Sequence, residues 1–149
     1  MGATAKLSID IYRAAIVREF PDFGDARFTL LTAGWDSVAV DVDERLICKF
    51  PRHAQAEERL VKEAALLEVI RPRVTMPVPE MRLHGGPPIF SSHRKLRGEH
   101  LIGAQYETLN EAARRQLGDD MGRFYAELHA IDQSVLRAAG APPLKPWSS

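Results

Sequence analysis

The stretch of residues 37–50 constrains the fold most, because its pattern is that of a β-hairpin. Apolar valines alternate with smaller or acidic side chains over 37–43, and such alternation places the two sets on opposite faces of a strand. An acidic pair then predicts a turn. The return strand over 45–50 places Ile47 and Lys49 on one face and the more apolar side chains on the other.

The rest of the chain predicts helices and strands in a mixed order, without an internal repeat. A proline-rich segment over residues 140–149 predicts a linker or frayed tail. In chain order we predict a helix over 8–20 capped by Ser8, a strand over 27–32, the hairpin, a helix over 55–70, strands over 80–84 and 89–95, a boundary at Gly98, and a helix over 109–131 opened by a capping box at 108–111.

Composition excludes several functional classes. Twenty basic residues balance twenty acidic ones in 149, so no global field favours nucleic acid or an anionic membrane as a partner. The first residues contain no long apolar run, which predicts neither a signal peptide nor a membrane span. A single cysteine, Cys48, fits a reducing cytoplasm. The five histidines have no metal-binding spacing, so we expect no metal site in the chain itself.

Glu63 is the most informative single residue. At about 100° per residue, it falls within the apolar stripe of the predicted helix 55–70. A carboxylate on a buried face is costly unless it has a partner. Lys49, on the preceding strand, is the predicted partner; the alternative is that Glu63 sits at the edge of the stripe and reaches solvent.

A glycine turn between two strands, a lysine on the third strand and a glutamate on the following helix form the layout of a protein-kinase-like amino-terminal lobe. The sequence resembles aminoglycoside phosphotransferases, especially those that modify a 2″-hydroxyl. The matching segments are TAGWDSV at 32–38, LICKFPR at 46–52, KEAALL at 62–67, KLRG at 95–98 and FYAELHAI at 124–131.

The resemblance implies an α+β fold with a five-stranded antiparallel sheet and flanking helices. Residues 1–97 would form the nucleotide-binding lobe. Residues 98–149 would form a linker, the first helix of the carboxy-terminal lobe and a proline-rich tail. The implied cofactor is ATP or GTP with Mg²⁺, and the implied activity is that of an antibiotic kinase conferring antibiotic resistance.

The resemblance also assigns roles to individual residues. Lys49 would contact the nucleotide phosphates and Glu63 would orient it, while the turn from Gly34 to Ser37 would cover the phosphates. The hinge would contribute the backbone of Arg94 and Leu96 to hydrogen-bond adenine, with His93 in the gatekeeper position beside it.

The catalytic half of the family pattern has no counterpart in this sequence. No His-Gly-Asp segment occurs, so the expected catalytic Asp, the magnesium ligands and the acceptor site are missing and no catalytic residue is assigned. We therefore expect the chain alone to be inert. Two alternatives stay open: a related kinase acting on choline, homoserine, methylthioribose or a macrolide, and a non-catalytic binding module of kinase-like fold.

The predicted helix over 109–131 carries a continuous apolar stripe that includes Leu117, Phe124 and Leu128. In the family this helix packs against the carboxy-terminal lobe. An exposed apolar stripe normally finds a partner. We therefore expect a homodimer formed through this helix, against the alternative that the helix folds back onto its own lobe.

Overall fold

The computed structural model describes residues 2–31, 35–99 and 101–142. In this part of the chain it contains a five-stranded antiparallel sheet, whose strands lie side by side in the order Phe28–Leu31, Ser37–Val42, Leu46–Pro51, Phe90–Arg94 and Arg82–His84. The predicted α+β fold is therefore confirmed. In chain order the elements are α1 (Gly2–Glu19), β1 (Phe28–Leu31), β2 (Ser37–Val42), β3 (Leu46–Pro51), α2 (Ala54–Ile70), β4 (Arg82–His84), β5 (Phe90–Arg94), α3 (Gly103–Thr108), α4 (Glu111–His129) and α5 (Gln133–Ala138).

Helix α1 begins earlier than the sequence pattern predicts. It starts at Gly2, so Ser8 lies inside the helix and the predicted cap at Ser8 is wrong. Residues 3–7 (ATAKL) include four good helix formers, which explains the extension toward the amino terminus. The helix ends at Glu19, just before Pro21, as the proline predicts.

Helix α1 covers one face of the sheet and builds the core there. The ring of Phe50 lies 4.6 Å from that of Tyr12 and 4.8 Å from that of Phe90, centre to centre. Burial raises the pKa of the Cys48 thiol to about 12, so Cys48 packs as a small apolar side chain. The buried members of this core are Ala15, Ile16, Val40, Val42, Cys48, Phe50 and Phe90.

The predicted hairpin is present, with β2 and β3 joined by a tight turn. Asp43 and Glu44 both adopt left-handed backbone angles, with φ of 52° and 56°. Two consecutive left-handed residues match the twist of a two-residue hairpin turn. The Asp43 carboxylate accepts a hydrogen bond from the Arg27 amide at 2.7 Å, so the turn is held to the chain just before β1.

The second half of the chain contains one wrong prediction and two missed helices. Asn110, not Thr108, caps α4: its side chain accepts from the Ala113 amide at 2.8 Å. Asn is the better cap residue, and Thr108 instead ends α3, donating its hydroxyl to the Gln105 carbonyl. Helices α3 and α5 were not predicted; Asp132 caps α5.

One acidic side chain of α4 forms hydrogen bonds with the connector between α2 and β4. The Glu127 carboxylate accepts from the Thr75 amide at 2.7 Å and also from the Thr75 hydroxyl. Both hydrogen bonds lower the pKa of Glu127, and the bond from the Thr75 hydroxyl has the larger effect. Among the described residues, no helix is both long enough and apolar enough to cross a lipid bilayer.

Candidate nucleotide site

Lys49 and Glu63 form the ion pair that the sequence predicts. The Lys49 ammonium donates to a Glu63 carboxylate oxygen at 2.8 Å. The side chains are 34% and 42% exposed, respectively, so the pair is reached by solvent. Glu63 is thus both paired with Lys49 and situated at the edge of the apolar stripe. A pinned ammonium of this kind offers a fixed positive charge to an anionic ligand.

The packing of α2 determines where Glu63 projects. Ala56, Leu60 and Ala64 are the buried residues of the helix, and they press it against the sheet. Leu66, Leu67 and Ile70, which extend the predicted stripe, are only half-buried. The buried residues of the helix therefore lie within 56–64, in the part that follows β3 and brings Glu63 back over Lys49.

Small side chains flank Lys49 on the sheet. Ala39 of β2 and Ser91 of β5 lie directly opposite Lys49 in the two strand pairings. Ala39, with its short side chain, lines an open cavity of about 430 Å³ in front of the lysine, whereas Ser91 is buried. The residues that line this cavity are Trp35, Asp36, Ser37, Ala39, Lys49, Ala56, Arg59, Leu60 and Glu63.

The predicted phosphate-covering turn reaches this cavity through its second half. Ser37 begins β2, lines the cavity and pairs with Pro51 across the sheet. Asp36 accepts from the Arg52 amide through its backbone carbonyl at 2.9 Å. Gly34 lies outside the described residues. The structure therefore brings Ser37, Lys49 and Glu63 together.

Arg59 is a cavity residue that the sequence reasoning missed. Its guanidinium donates to the Asp36 carboxylate, whose other oxygen lies 3.3 Å from Nε2 of His53. Arg59 precedes Glu63 by four residues, and this spacing places two side chains on one face of a helix. This spacing could have identified Arg59 from the sequence as a residue on the same side of the helix as Glu63. The cavity thus contains two cations, each paired with a carboxylate.

The three predicted hinge residues lie at the end of β5. His93 is two residues beyond Ser91, which opposes Lys49, so it lies roughly 7 Å farther along the strand. Its Nδ1 atom is 2.8 Å from the Arg94 carbonyl oxygen. A carbonyl oxygen has two lone pairs, so the Arg94 oxygen retains one for a ligand. Leu96 is 43% exposed.

A larger cavity of about 840 Å³ lies at the hinge, and residues 94–99 form much of its lining. Phe23 and Leu46 line it, and both also pack against the core beneath α1. Lys49 and Glu63 do not line it. The 840 Å³ cavity therefore shares no lining residue with the cavity in front of Lys49.

Magnesium, which the family resemblance implies, is not matched by the residues that the structure describes. In residues 2–31, 35–99 and 101–142, no group of three His, Cys, Asp or Glu side chains could hold a metal ion. The two carboxylates of the 430 Å³ cavity are each engaged by a cation. Both carboxylates are therefore already used in ion pairs with Lys49 and Arg59.

Comparison with known proteins supports this interpretation of the fold. The sequence model of the phosphotransferase enzyme family matches residues 27–148, most of the chain. No curated protein matches the chain.

Solved structures match over most of the chain. The GDP complex of wild-type aminoglycoside 2'-phosphotransferase-IIIa is 25% identical, with a TM-score of 0.79, over 88% of this chain and 45% of that one. The GDP and kanamycin complex of APH(2")-IIIa is also 25% identical, with a TM-score of 0.77 over the same shares. The streptomycin-ATP complex of APH(2")-IIa shares the fold at 20% identity, with a TM-score of 0.58 over 78% of this chain and 40% of that one.

The chain thus spans less than half the length of these solved proteins. The chain belongs to the phosphotransferase enzyme family, and its fold is that of the kinase-like amino-terminal lobe of aminoglycoside phosphotransferases.

Proposed function

We propose that this chain is the nucleotide-binding lobe of an ATP- or GTP-dependent aminoglycoside phosphotransferase. Residues 1–97 form the nucleotide-binding lobe in this proposal, and residues 98–149 form the linker, the first helix of the carboxy-terminal lobe and the tail. The observation that carries it is the 2.8 Å Lys49–Glu63 pair in front of an open cavity.

The chemistry of the cavity favours a polyphosphate ligand. Lys49 would contact the α- and β-phosphates while Glu63 holds its ammonium in place, which is the arrangement used in kinase-like lobes. Ser37 lies beside the pair and can donate its hydroxyl to a phosphate oxygen. Arg59 adds a second cation at the cavity wall. The magnesium that accompanies such nucleotides would be held by groups outside these residues.

The base would be read at the hinge. The edge of adenine offers one donor and one acceptor, and a backbone carbonyl and amide two residues apart match that pair. Arg94 would accept and Leu96 would donate, with His93 beside them. The relatives that are 25% identical are described with GDP, and one of them also with kanamycin. These descriptions support a nucleotide for this chain and an aminoglycoside as the acceptor of the full protein.

We also propose that the chain alone transfers no phosphoryl group and acts in the cytoplasm. Phosphoryl transfer requires a group that orients the acceptor hydroxyl and metal ions that neutralise developing charge. The sequence has no His-Gly-Asp segment that could supply the first. An antibiotic kinase whose co-substrate is ATP or GTP would meet that nucleotide in the cytoplasm.

Two assays test these statements separately. Calorimetry with ATP and GTP, with and without magnesium, should detect weak binding of at least one of them. A coupled assay with kanamycin as acceptor should give no turnover above background. Binding of neither nucleotide would favour a non-catalytic kinase-like module. Turnover by the purified chain would show that the proposed inactivity is wrong.

A further inference from the structure

Asp41 is a buried carboxylate on the same face of the sheet as Lys49. It lies on β2, two residues from Ala39, which opposes Lys49, and it is only 5% exposed. The strand pairings align it with Ile47 of β3 and, through Ile47, with His93 of β5. A charge buried this deeply is costly unless it is paired and hydrogen-bonded, and neither the family comparison nor the Lys49–Glu63 site accounts for it.

The partner of Asp41 is Lys95, in the hinge. One Asp41 oxygen accepts from the Lys95 ammonium at 2.6 Å, and the other accepts from the Glu44 amide at 2.8 Å. The hydrogen bond with Asp41 raises the pKa of Lys95. The Lys95 backbone amide donates to the Arg45 carbonyl at 2.9 Å. Lys95 is therefore held twice, by its backbone and by its side chain.

The sheet order makes this double attachment informative. Because β3 lies between β2 and β5, the Lys95 side chain must extend across β3 to reach Asp41. Neighbouring strands are about 4.8 Å apart, so the contact spans roughly twice that distance. The turn between β2 and β3, next to Asp41, is itself held to the chain before β1 by the hydrogen bond from the Arg27 amide to Asp43. Lys95 is thus tied to a rigid hairpin.

We propose that the Asp41–Lys95 pair is a positioning element for recognition of the nucleotide base. Lys95 stands between Arg94 and Leu96, whose backbone groups read the base in the proposed function, and the present inference rests on that proposal. Fixing the middle residue holds the flanking carbonyl and amide at a set separation and orientation. A binding group ordered in advance loses less freedom when the ligand arrives.

The test uses Asp41→Asn and Lys95→Met, with Asp25→Asn and Lys62→Met as charge-matched controls on exposed residues. The first measurement is amide hydrogen exchange over residues 94–98, which needs no ligand. We expect exchange in this segment to rise about tenfold in both variants, as local opening becomes easier. The controls should match the wild type, and Lys95→Arg, which keeps the charge, should restore most of the protection. Unchanged exchange in Lys95→Met would overturn the inference.

The second measurement is the affinity for adenosine and guanosine compared with ATP and GTP. Because the pair acts on base recognition, both variants should lower the affinity for a nucleoside and for its triphosphate by the same factor, about three- to tenfold. Equal nucleoside affinity in the wild type and in Lys95→Met would overturn a role in base recognition, even if stability falls. If the wild type binds no nucleotide, the proposed function fails, and the base-positioning role fails with it, whereas hydrogen exchange still reports whether the pair orders the hinge.

Discussion

The ammonium nitrogen of Lys49 lies 2.8 Å from a carboxylate oxygen of Glu63, yet the two side chains remain 34% and 42% exposed. The pair is therefore better suited to orienting a charge than to stabilising the fold. Solvent-exposed ion pairs typically contribute about 0.2–1 kcal/mol, whereas breaking a fully buried pair costs about 3–5 kcal/mol. The exposure assigns Lys49–Glu63 to the first range.

We accordingly predict that Glu63→Gln lowers the free energy of unfolding by less than about 1 kcal/mol. Glu58→Gln removes the same charge from an exposed position of α2 and serves as the control. Urea unfolding of the three proteins measures the difference. A loss above about 3 kcal/mol specific to Glu63→Gln would show that the pair behaves as a buried one.

Ser91 and Ser92 are adjacent buried serines for which we predict opposite effects. The Ser91 hydroxyl has no hydrogen-bond partner among the described residues, whereas the Ser92 hydroxyl bonds Nε2 of His84 at 2.7 Å. A buried polar group without a partner costs about 1–3 kcal/mol. Ser91→Ala should therefore raise the free energy of unfolding by about 1 kcal/mol, and Ser92→Ala should lower it by a similar amount.

Chemical denaturation of the two alanine variants and the wild type tests the prediction on the serines. The two changes remove the same atom from neighbouring positions of one strand, so each variant controls for the other. Destabilisation of similar size in both would contradict the assignment of an unpartnered hydroxyl at Ser91.

Glu127 should make the attachment of α4 sensitive to acid. Its pKa is lowered from 4.5 by the Thr75 hydroxyl and amide. A depressed carboxylate pKa stabilises the fold above the unfolded-state value, and this contribution is lost as the pH falls through the folded-state value. The stability difference between the wild type and Glu127→Gln should therefore be constant near neutral pH and shrink below about pH 4.5.

Thermal unfolding from pH 7 to pH 3 measures this difference, with Glu58→Gln as the control for removal of one exposed carboxylate. Faster hydrogen exchange at the Thr75 amide in Glu127→Gln is expected as well. Parallel pH profiles for the wild type and Glu127→Gln across the whole range would show that Glu127 does not hold α4 in place.

Self-association through α4 remains a prediction. Met121 and Tyr125, four residues apart on one face, are 46% and 52% exposed, while Phe124 is half-buried and lines a small cavity with Thr75 and Pro77. The helix therefore contacts its own chain and still leaves apolar surface open. We expect the chain to form a dimer at micromolar concentration, because exposed apolar surface favours association.

Light scattering after size exclusion measures the mass of the wild type and of Met121→Lys. Ala112→Lys is the control, because it adds the same charge at an exposed position about 180° around the helix from Met121. A monomer for Met121→Lys and a dimer for the other two proteins is the predicted result. A monodisperse wild-type monomer would contradict the proposed interface.

Local patterns predicted the sheet well, because alternation and turn residues act over a few neighbours. The same holds for Glu63, whose place in an apolar stripe required a partner and pointed to Lys49. Contacts that join distant segments could not be predicted in this way. Asp41 and Lys95 are 54 residues apart, and only the sheet order brings the hinge lysine across β3.

The wrong boundaries have local causes. Thr108 and Asn110 were both acceptable caps, and the choice depended on which side chain could reach the α4 amides. Ser8 matched a cap pattern, but the helix formers before it continued the helix instead.

The contact between Asp36 and Arg59 is another that the sequence could not predict. The two residues are 23 positions apart, so their contact depended on how the turn folds over α2.

Nucleotide recognition by Lys49 is tested most directly by calorimetric titration of the wild type and Lys49→Met with ATP, GTP and the matching nucleosides. A hydrogen bond to a charged group contributes about 1.5–3 kcal/mol, or roughly 10- to 150-fold in affinity. Lys49→Met should therefore lower the affinity for the triphosphate by that factor and leave the affinity for the nucleoside within about twofold of the wild type. Lys62→Met should change neither affinity. Equal triphosphate affinity for the wild type and Lys49→Met, or no binding of either triphosphate by the wild type, would contradict a nucleotide site at Lys49.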